Sequence, residues 1–275
     1  VTAEEKLIRL NKLLSETGGI AVGFSGGTDS SFLVYTAYKT LGDRAVAVTA
    51  RSSTYTTAEF ESAVNFTKEH GIRHVVIDSE ELSIKGFSDN PPDRCYFCKG
   101  ELFGKVRTVA DNLGIKYVAD GTNVDDLNDY RPGLKAAKEL GTISPLKEAG
   151  LSKIEIRELS RQAGLSTWDK PAAACLASRF PYGAKITAQK LKMVESAETF
   201  LKNLGFKQLR VRHHGDTARI EIAPDEMKQV LNQELLSAIN AGMKSIGFIY
   251  SALDLAGYRT GSMNENLEKA GKNEA

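Results

Sequence analysis

Apolar residues recur at helical spacing from about Ala3 to Thr17, where Leu7, Ile8, Leu10, Leu13 and Leu14 mark the pattern and Gly18-Gly19 stops it. A short apolar run, Ile20 to Phe24, then predicts a strand. It is followed by the turn Ser25-Gly26-Gly27-Thr28-Asp29-Ser30-Ser31 and a helical apolar stretch from Phe32. The same alternation continues with a strand at Arg44–Thr49, a helix at Ala58–His70, a strand at Arg73–Asp78, a helix at Cys98–Leu113 and a strand at Lys116–Asp120. Strands alternating with helices imply right-handed crossovers, so the expected fold class is α/β with a doubly wound parallel sheet covered on both faces.

After Pro171 the pattern changes. Thr187–Leu204 reads as a long amphipathic helix, and Gln208–His213 with Ala218–Ile222 reads as a hairpin turned at Gly215-Asp216. A helix over Pro224–Ala241 and a strand-like run over Ile246–Ala252 complete a smaller α+β domain, and the polar end from about Asn264 is expected to fray. The expected domains are 1–170 and 171–275.

Length and charge narrow the function classes. A chain of 275 residues with 41% hydrophobic content can build one large or two moderate cores. With 36 basic against 35 acidic residues there is no overall basic field to drive nucleic-acid binding, so no nucleic-acid partner is expected. No run approaches a membrane span and the first residues lack a signal-peptide core, so the expected location is cytoplasmic, with no membrane partner. Three cysteines are too few for a disulfide scaffold, which points to ligand or nucleophile roles.

In Ser25-Gly26-Gly27-Thr28-Asp29-Ser30 the two glycines allow close backbone approach, and the residues after them start a helix. Backbone N–H groups therefore converge at a helix N-terminus, where an anion gains hydrogen bonds and the positive end of the dipole. The Ser25 and Ser30 hydroxyls add donors. Asp29 is a candidate organiser of the loop or of Mg²⁺, with an N-terminal helix cap the simpler reading. The segment lacks the Gly-Lys-Ser/Thr of a Walker A loop and the Gly-x-Gly-x-x-Gly of a dinucleotide fingerprint.

Ser-Gly-Gly-x-Asp-Ser after a strand resembles the PP-loop of the ATP pyrophosphatase superfamily, also called adenine nucleotide alpha hydrolase-like. The resemblance implies ATP cleaved between its α- and β-phosphates, a Mg²⁺ that spreads the charge of the departing pyrophosphate, and an adenylated substrate. Asp120-Gly-Thr-Asn-Val-Asp-Asp126, after the fourth strand, resembles a superfamily segment of the ATP and metal site and makes Asn123 and Asp126 candidates.

Asn128–Lys135, Ser178-Arg179-Phe180-Pro181-Tyr182-Gly183, Arg210-Val211-Arg212, Ala218–Glu221 and Gly257–Gly261 together resemble the LarE family. That resemblance implies an ATP-dependent sulfur transferase. Its substrate would be an anionic nucleotide, pyridinium-3,5-biscarboxylic acid mononucleotide, whose carboxylates become thiocarboxylates for the nickel-pincer nucleotide cofactor. Sulfide or a sulfur donor protein would be a partner, and a homo-oligomer, trimer or hexamer, is expected.

Sacrificial members of the family give up the sulfur of one cysteine before the Ser-Arg-Phe-Pro-Tyr-Gly segment, here Cys175. This chain departs from that pattern by carrying Cys95-Tyr96-Phe97-Cys98 as well. Three thiolates on a [4Fe–4S] cluster leave one iron open to hydrosulfide, an arrangement similar to that of cluster-dependent tRNA thiolases, so a cluster held by Cys95, Cys98 and Cys175 is the preferred expectation. A zinc site, a redox pair resolving a persulfide on Cys175, and ordinary buried thiols are the alternatives.

For the anionic substrate, Arg210 and Arg212 alternate along one strand and share a face, as a phosphate clamp would need. Arg179 and Ser178 are expected to neutralise and orient a carboxylate beside the sulfur of Cys175. Glu198 and Glu221 match acidic positions of the family, or form structural salt bridges to Arg210 or Arg212. A tRNA thiolase is the competing function.

Overall fold

The structure is a computed structural model that describes residues 1–128, 132–171 and 174–259. Asp129 to Arg131, Ala172 and Ala173, and everything from Thr260 lie outside the described residues. Parts of the Asn128–Lys135, Ala172–Arg179 and Gly257–Gly261 segments, and the polar end from Asn264, fall there.

The first element, α1 (Ala3–Thr17), begins with a capping box in which Thr2 and Glu5 satisfy each other's backbone N–H groups. Strand β1 (Ile20–Gly23) leads through the glycine turn into α2 (Thr28–Leu41). Then follow β2 (Ala45–Arg51), α3 (Thr57–Glu69), β3 (Arg73–Asp78), α4 (Arg94–Asn112) and β4 (Tyr117–Ala119). The four strands are parallel in the order β3-β2-β1-β4. Three shorter helices close this half: α5 (Pro132–Glu139), α6 (Pro145–Glu148) and α7 (Lys153–Gln162).

Successive residues of the central strands point to opposite faces, and each face has its own core. Ile20, Val22, Ala45 and Ala47 pack with Leu10 and Leu14 of α1, Phe32 and Leu33 of α2 and Ile156 of α7. Ala21, Val46 and Val48 pack with Phe103 and Val106 of α4. The near-continuous apolar strands read from the sequence are thus explained by burial on both sides, and the doubly wound α/β class is observed.

The chain divides into two compact units, Val1–Phe87 with Pro92–Ala174, and Ser88–Pro91 with Cys175 onward. In the second, α8 (Ala188–Asn203) covers β5 (Leu209–His214) and β6 (Thr217–Ile222), an antiparallel hairpin. Next come α9 (Met227–Val230), α10 (Gln233–Ile246) and β7 (Tyr250–Leu253), which pairs parallel with β6. Leu201, Val211, Ile220, Ile239 and Met243 form this unit's core.

Three sequence expectations are corrected. Helix α4 begins at Arg94, ahead of the expected start at Cys98, so Cys95 also lies inside its first turn. The expected helix over Pro224–Ala241 is two helices, because the Asn232 carboxamide accepts from the N–H groups of Glu234 and Leu235 and starts a new one. Ile246 ends that second helix, so the last strand is only Tyr250–Leu253.

Candidate functional site

The turn between β1 and α2 lies at the carboxyl edge of the sheet, where open α/β sheets bind ligands. Gly27 is the N-cap of α2 and makes no side-chain capping bond, so the N–H groups of Thr28, Asp29 and Ser30 are those a helix cannot satisfy internally. Gly26 takes φ +63°, and a Cβ there would meet Ala63 Cβ of α3 at 3.1 Å. Both demands suit only glycine.

The loop's carbonyls are held from outside. Tyr55 donates its hydroxyl to Ser25 O at 2.6 Å, and Lys170 Nζ donates to Gly26 O at 2.9 Å and to Ser62 Oγ at 3.0 Å. With the acceptors fixed outward, the amide donors face the other way. The Thr28 hydroxyl donates to Thr167 O at 2.8 Å, so of the expected phosphate ligands Thr28 has only its N–H left to offer an anion. Ser25 Oγ and Ser30 Oγ lie 3.2 Å apart, within hydrogen-bond reach of each other at the mouth of the turn.

Asp29 makes no side-chain cap, which corrects the simpler reading of it. Burial pushes its carboxyl above the usual carboxylate range and Asp126 adds to that, while Lys153 and Arg157 oppose. Its Oδ1 and the Asn123 Nδ2 are both buried with no hydrogen-bond partner. Orphaned polar atoms beside an amide cradle are what a bound phosphate and its cation would satisfy.

The Asp120–Asp126 loop closes against this turn: a Cβ on Gly121 would lie 3.0 Å from Ser30 N. Within the loop Asp126 Oδ2 accepts from Asn123 N at 3.0 Å, and Asn123 Oδ1 accepts from Asp125 N at 2.9 Å. The structure thus brings Ser25–Ser30, Asn123 and Asp126 together. Sequence reading missed Tyr55, Lys153, Arg157 and Lys170, because each reaches the turn from a distant segment and none sits in a local motif.

Phe103 of α4 packs against Gly23 and Lys105 Nζ donates to Asp78 O at 2.8 Å, so the turns before them, with Cys95 and Cys98, extend past the same carboxyl edge. The two cysteines are three residues apart and share one helix face. Behind them α5 comes close enough that a Cβ on Gly133 would meet Lys99 Cγ at 2.7 Å and Cys95 O at 3.1 Å. None of the three cysteines is in a disulfide; Cys95 and Cys175 are exposed and Cys98 is half-buried. Among the described residues no group of three or more His, Cys, Asp or Glu side chains is placed to hold a metal ion.

In the second unit Cys175 precedes a 3-10 turn, Leu176–Arg179. Arg179 is 3% exposed and forms a bidentate pair with Glu198 at 2.8 and 2.9 Å, and it also donates to Cys175 O at 3.1 Å and Ser178 Oγ at 3.0 Å. Arg212 pairs in the same way with Glu221, at 2.9 and 2.8 Å, and donates to Ser178 O at 2.9 Å. Burial pushes the Glu198 carboxyl up, but the Arg179 fork and the Val211 N–H more than offset this and hold it low. Arg210 stacks over the Tyr258 ring at 5.2 Å, near Arg179, Glu198 and Arg212.

Arg179 therefore has Glu198 as its carboxylate, while Glu221 is shared by Arg212 and Arg219. With Arg210 and Arg219 beside them, basic side chains outnumber the carboxylates Glu198 and Glu221 here, which suits an anionic ligand. The structure assembles Cys175, Ser178, Arg179, Glu198, Arg210, Arg212 and Glu221 within this unit.

The chain matches the NAD synthase family over residues 4–113, all within the two-sided α/β unit apart from Ser88–Pro91. It is 43% identical over 266 residues to an uncharacterised protein of Synechocystis sp., covering 97% of this chain and 99% of that one. It is 38% identical over 270 residues to the pyridinium-3,5-bisthiocarboxylic acid mononucleotide synthase of Lactiplantibacillus plantarum, covering 98% of this chain and 97% of the synthase. An uncharacterised protein of Methanocaldococcus jannaschii is 30% identical over 262 residues, 93% of this chain and 98% of that one. No helix among the described residues is long and apolar enough to cross a membrane.

Proposed function

The chain belongs to the LarE-like family of PP-loop ATP pyrophosphatases, and from that membership we propose that it is an ATP-dependent sulfur transferase acting on pyridinium-3,5-biscarboxylic acid mononucleotide. The observation that carries the reading is the 38% identity to the synthase over 98% of this chain and 97% of the synthase.

The N–H groups of Thr28, Asp29 and Ser30 bind the β- and γ-phosphates. As a substrate carboxylate oxygen attacks the α-phosphorus, the bond to the bridging oxygen breaks, and preorganised donors meet the charge that grows on pyrophosphate. Asp29 and Asp126 are the carboxylates that would hold a Mg²⁺, which would supply further charge neutralisation there. The acyl adenylate then takes sulfur at its carbonyl carbon and AMP leaves. Arg210, beside the paired Arg179 and Arg212, holds the substrate phosphate.

Cys175 is the residue through which we route the sulfur. In the preferred reading Cys95, Cys98 and Cys175 would supply three thiolates to a [4Fe–4S] cluster, which would carry sulfide as the nucleophile. The shared face of Cys95 and Cys98, past the carboxyl edge of the sheet, supports this reading. In a second reading Cys175 gives up its own sulfur: its thiolate displaces AMP from the acyl adenylate, and β-elimination then releases the thiocarboxylate and leaves dehydroalanine. The protein works as a homo-oligomer, trimer or hexamer, in a cytoplasmic setting.

Pyrophosphate and AMP formation, assayed with ATP and Mg²⁺, should require the pyridinium mononucleotide. Pyrophosphate release stimulated by tRNA instead would turn the reading to tRNA thiolation.

A further inference from the structure

Among the described residues Asn90 is the one non-glycine with positive φ, at 56°, and it is fully buried. Its carboxamide nitrogen donates to Phe180 O at 3.2 Å and to Pro181 O at 2.7 Å. Main-chain bonds bracket it: Gly183 N donates to Asn90 O at 2.9 Å and Ile186 N to Ser88 O at 2.8 Å. These bonds pin Ser88–Pro91 into the second unit although Phe87 and Pro92 on either side belong to the first. A backbone conformation this uncommon survives only where its surroundings over-determine it, and such positions cluster at functional sites.

The two carbonyls it holds form the exit of the turn that begins at Cys175. Phe180 follows Arg179, whose guanidinium reaches back to Cys175 O at 3.1 Å and Ser178 Oγ at 3.0 Å. Cys175 itself is exposed, so packing does not fix its thiol; the backbone of its turn must. Two carbonyls aimed at one point need a donor with two protons, which an amide nitrogen has and a carboxylate lacks. Asparagine also tolerates the left-handed region better than other side-chain-bearing residues do.

We propose that Asn90 is a positioning residue for sulfur transfer, which fixes the exit of the Cys175–Arg179 turn and so presents the Cys175 thiol in one orientation. The inference rests on the reading of Cys175 as the residue that passes sulfur. The same strap continues in sequence into Cys95 and Cys98, so one short segment leads into one set of candidate sulfur ligands while it anchors the turn of the other.

The test uses the full chain with Asn90→Gly, which keeps the φ angle and removes the carboxamide, and Asn90→Asp, which keeps the shape and turns the donor into an acceptor. Two quantities are read: the rate of Cys175 alkylation by iodoacetamide, located by peptide mass spectrometry, and thiocarboxylate formed per AMP. Both variants should alkylate faster at Cys175, and their thiocarboxylate per AMP should fall roughly tenfold while AMP formation persists. Unchanged alkylation and an unchanged ratio in both variants would overturn the proposal, as would a parallel loss of AMP and thiocarboxylate. If the unaltered protein makes no thiocarboxylate, the functional reading has failed, and the alkylation rates alone decide the role of Asn90.

Discussion

The hydroxyl of Thr28 donates to the main-chain carbonyl of Thr167 at 2.8 Å, which ties the first residue of α2 to a segment 139 positions later. Lys170, three residues on, reaches Gly26 O, and Arg157 donates to Trp168 O at 2.8 Å and Lys170 O at 2.7 Å. The phosphate turn is therefore clasped from behind by the Thr167–Lys170 segment. Removing the donor at Thr28 leaves a buried carbonyl unsatisfied. Thr28→Val should cost about 1–3 kcal/mol in urea unfolding and weaken ATP binding, whereas Thr28→Ser should keep most of both.

Asp29 pays for its place in stability. Its carboxyl is raised by burial above the value it has in the unfolded chain, so its charged form disfavours folding, and that cost grows as pH rises through the unfolded value. Asn at this position removes the charge and keeps the shape. Thermal denaturation at neutral pH should show Asp29→Asn as stable as the unaltered protein or more so, while substrate-dependent AMP formation falls at least about tenfold. A variant that loses stability and activity together would make Asp29 structural.

His74 links the strands behind the turn. Thr49 donates to Phe24 O at 2.9 Å, so His74 Nε2 must donate to Thr49 Oγ1 at 2.8 Å, and Nδ1 lies 3.0 Å from the Thr67 hydroxyl. Burial pushes its pKa below the ordinary histidine value. The unfolded chain then takes up a proton near pH 6.5 that the folded chain resists. Stability is complete above that pH and is lost as pH falls below it. Unfolding free energies between pH 7.5 and 5 should show the decline, and His74→Gln should reduce its slope. His213 and His214, lowered in the same sense, add to the decline.

Glu198 is 3% exposed and answers for Arg179, so deleting it strands a buried guanidinium. Glu198→Ala should destabilise the protein by about 3–5 kcal/mol in denaturant unfolding. Because its folded pKa lies below the unfolded one, its contribution is present above the ordinary carboxylate range and fades on acidification.

The periodic parts of this chain were legible because burial imposes them. Ile20–Phe24 and Arg73–Asp78 read as strands, Ala3–Thr17 as a helix, and the Ser25–Ser30 turn announces itself by residues that do little else together. What stayed hidden depends on partners far away in sequence. The start of α4 at Arg94 is backed by Gly133 of α5, and nothing in the run from Arg94 to Phe97 shows that support. Lys170 and Tyr55 hold the phosphate turn through single contacts from distant segments, and Asn90 is an unremarkable letter until its φ angle is seen. The arginines 179, 210 and 212 were visible as charges. Pairing of Glu198 and Glu221 with Arg210 or Arg212 was one of two open readings; Arg212 does take Glu221, but Glu198 goes to Arg179, because a strand's alternation gives the face and not the partner.

The most direct test of sulfur transfer driven by ATP is mass spectrometry of both the small molecules and the chain after anaerobic incubation with ATP, Mg²⁺, sulfide and pyridinium-3,5-biscarboxylic acid mononucleotide. The account predicts carboxylate oxygen replaced by sulfur in the nucleotide, with AMP and pyrophosphate formed alongside, and no replacement with Cys175→Ala. An unaltered Cys175 after many turnovers marks the cluster route, and its loss of H₂S marks donation by the cysteine itself. AMP formed with no sulfur in the nucleotide, or sulfur transfer that proceeds with Cys175→Ala, would contradict it.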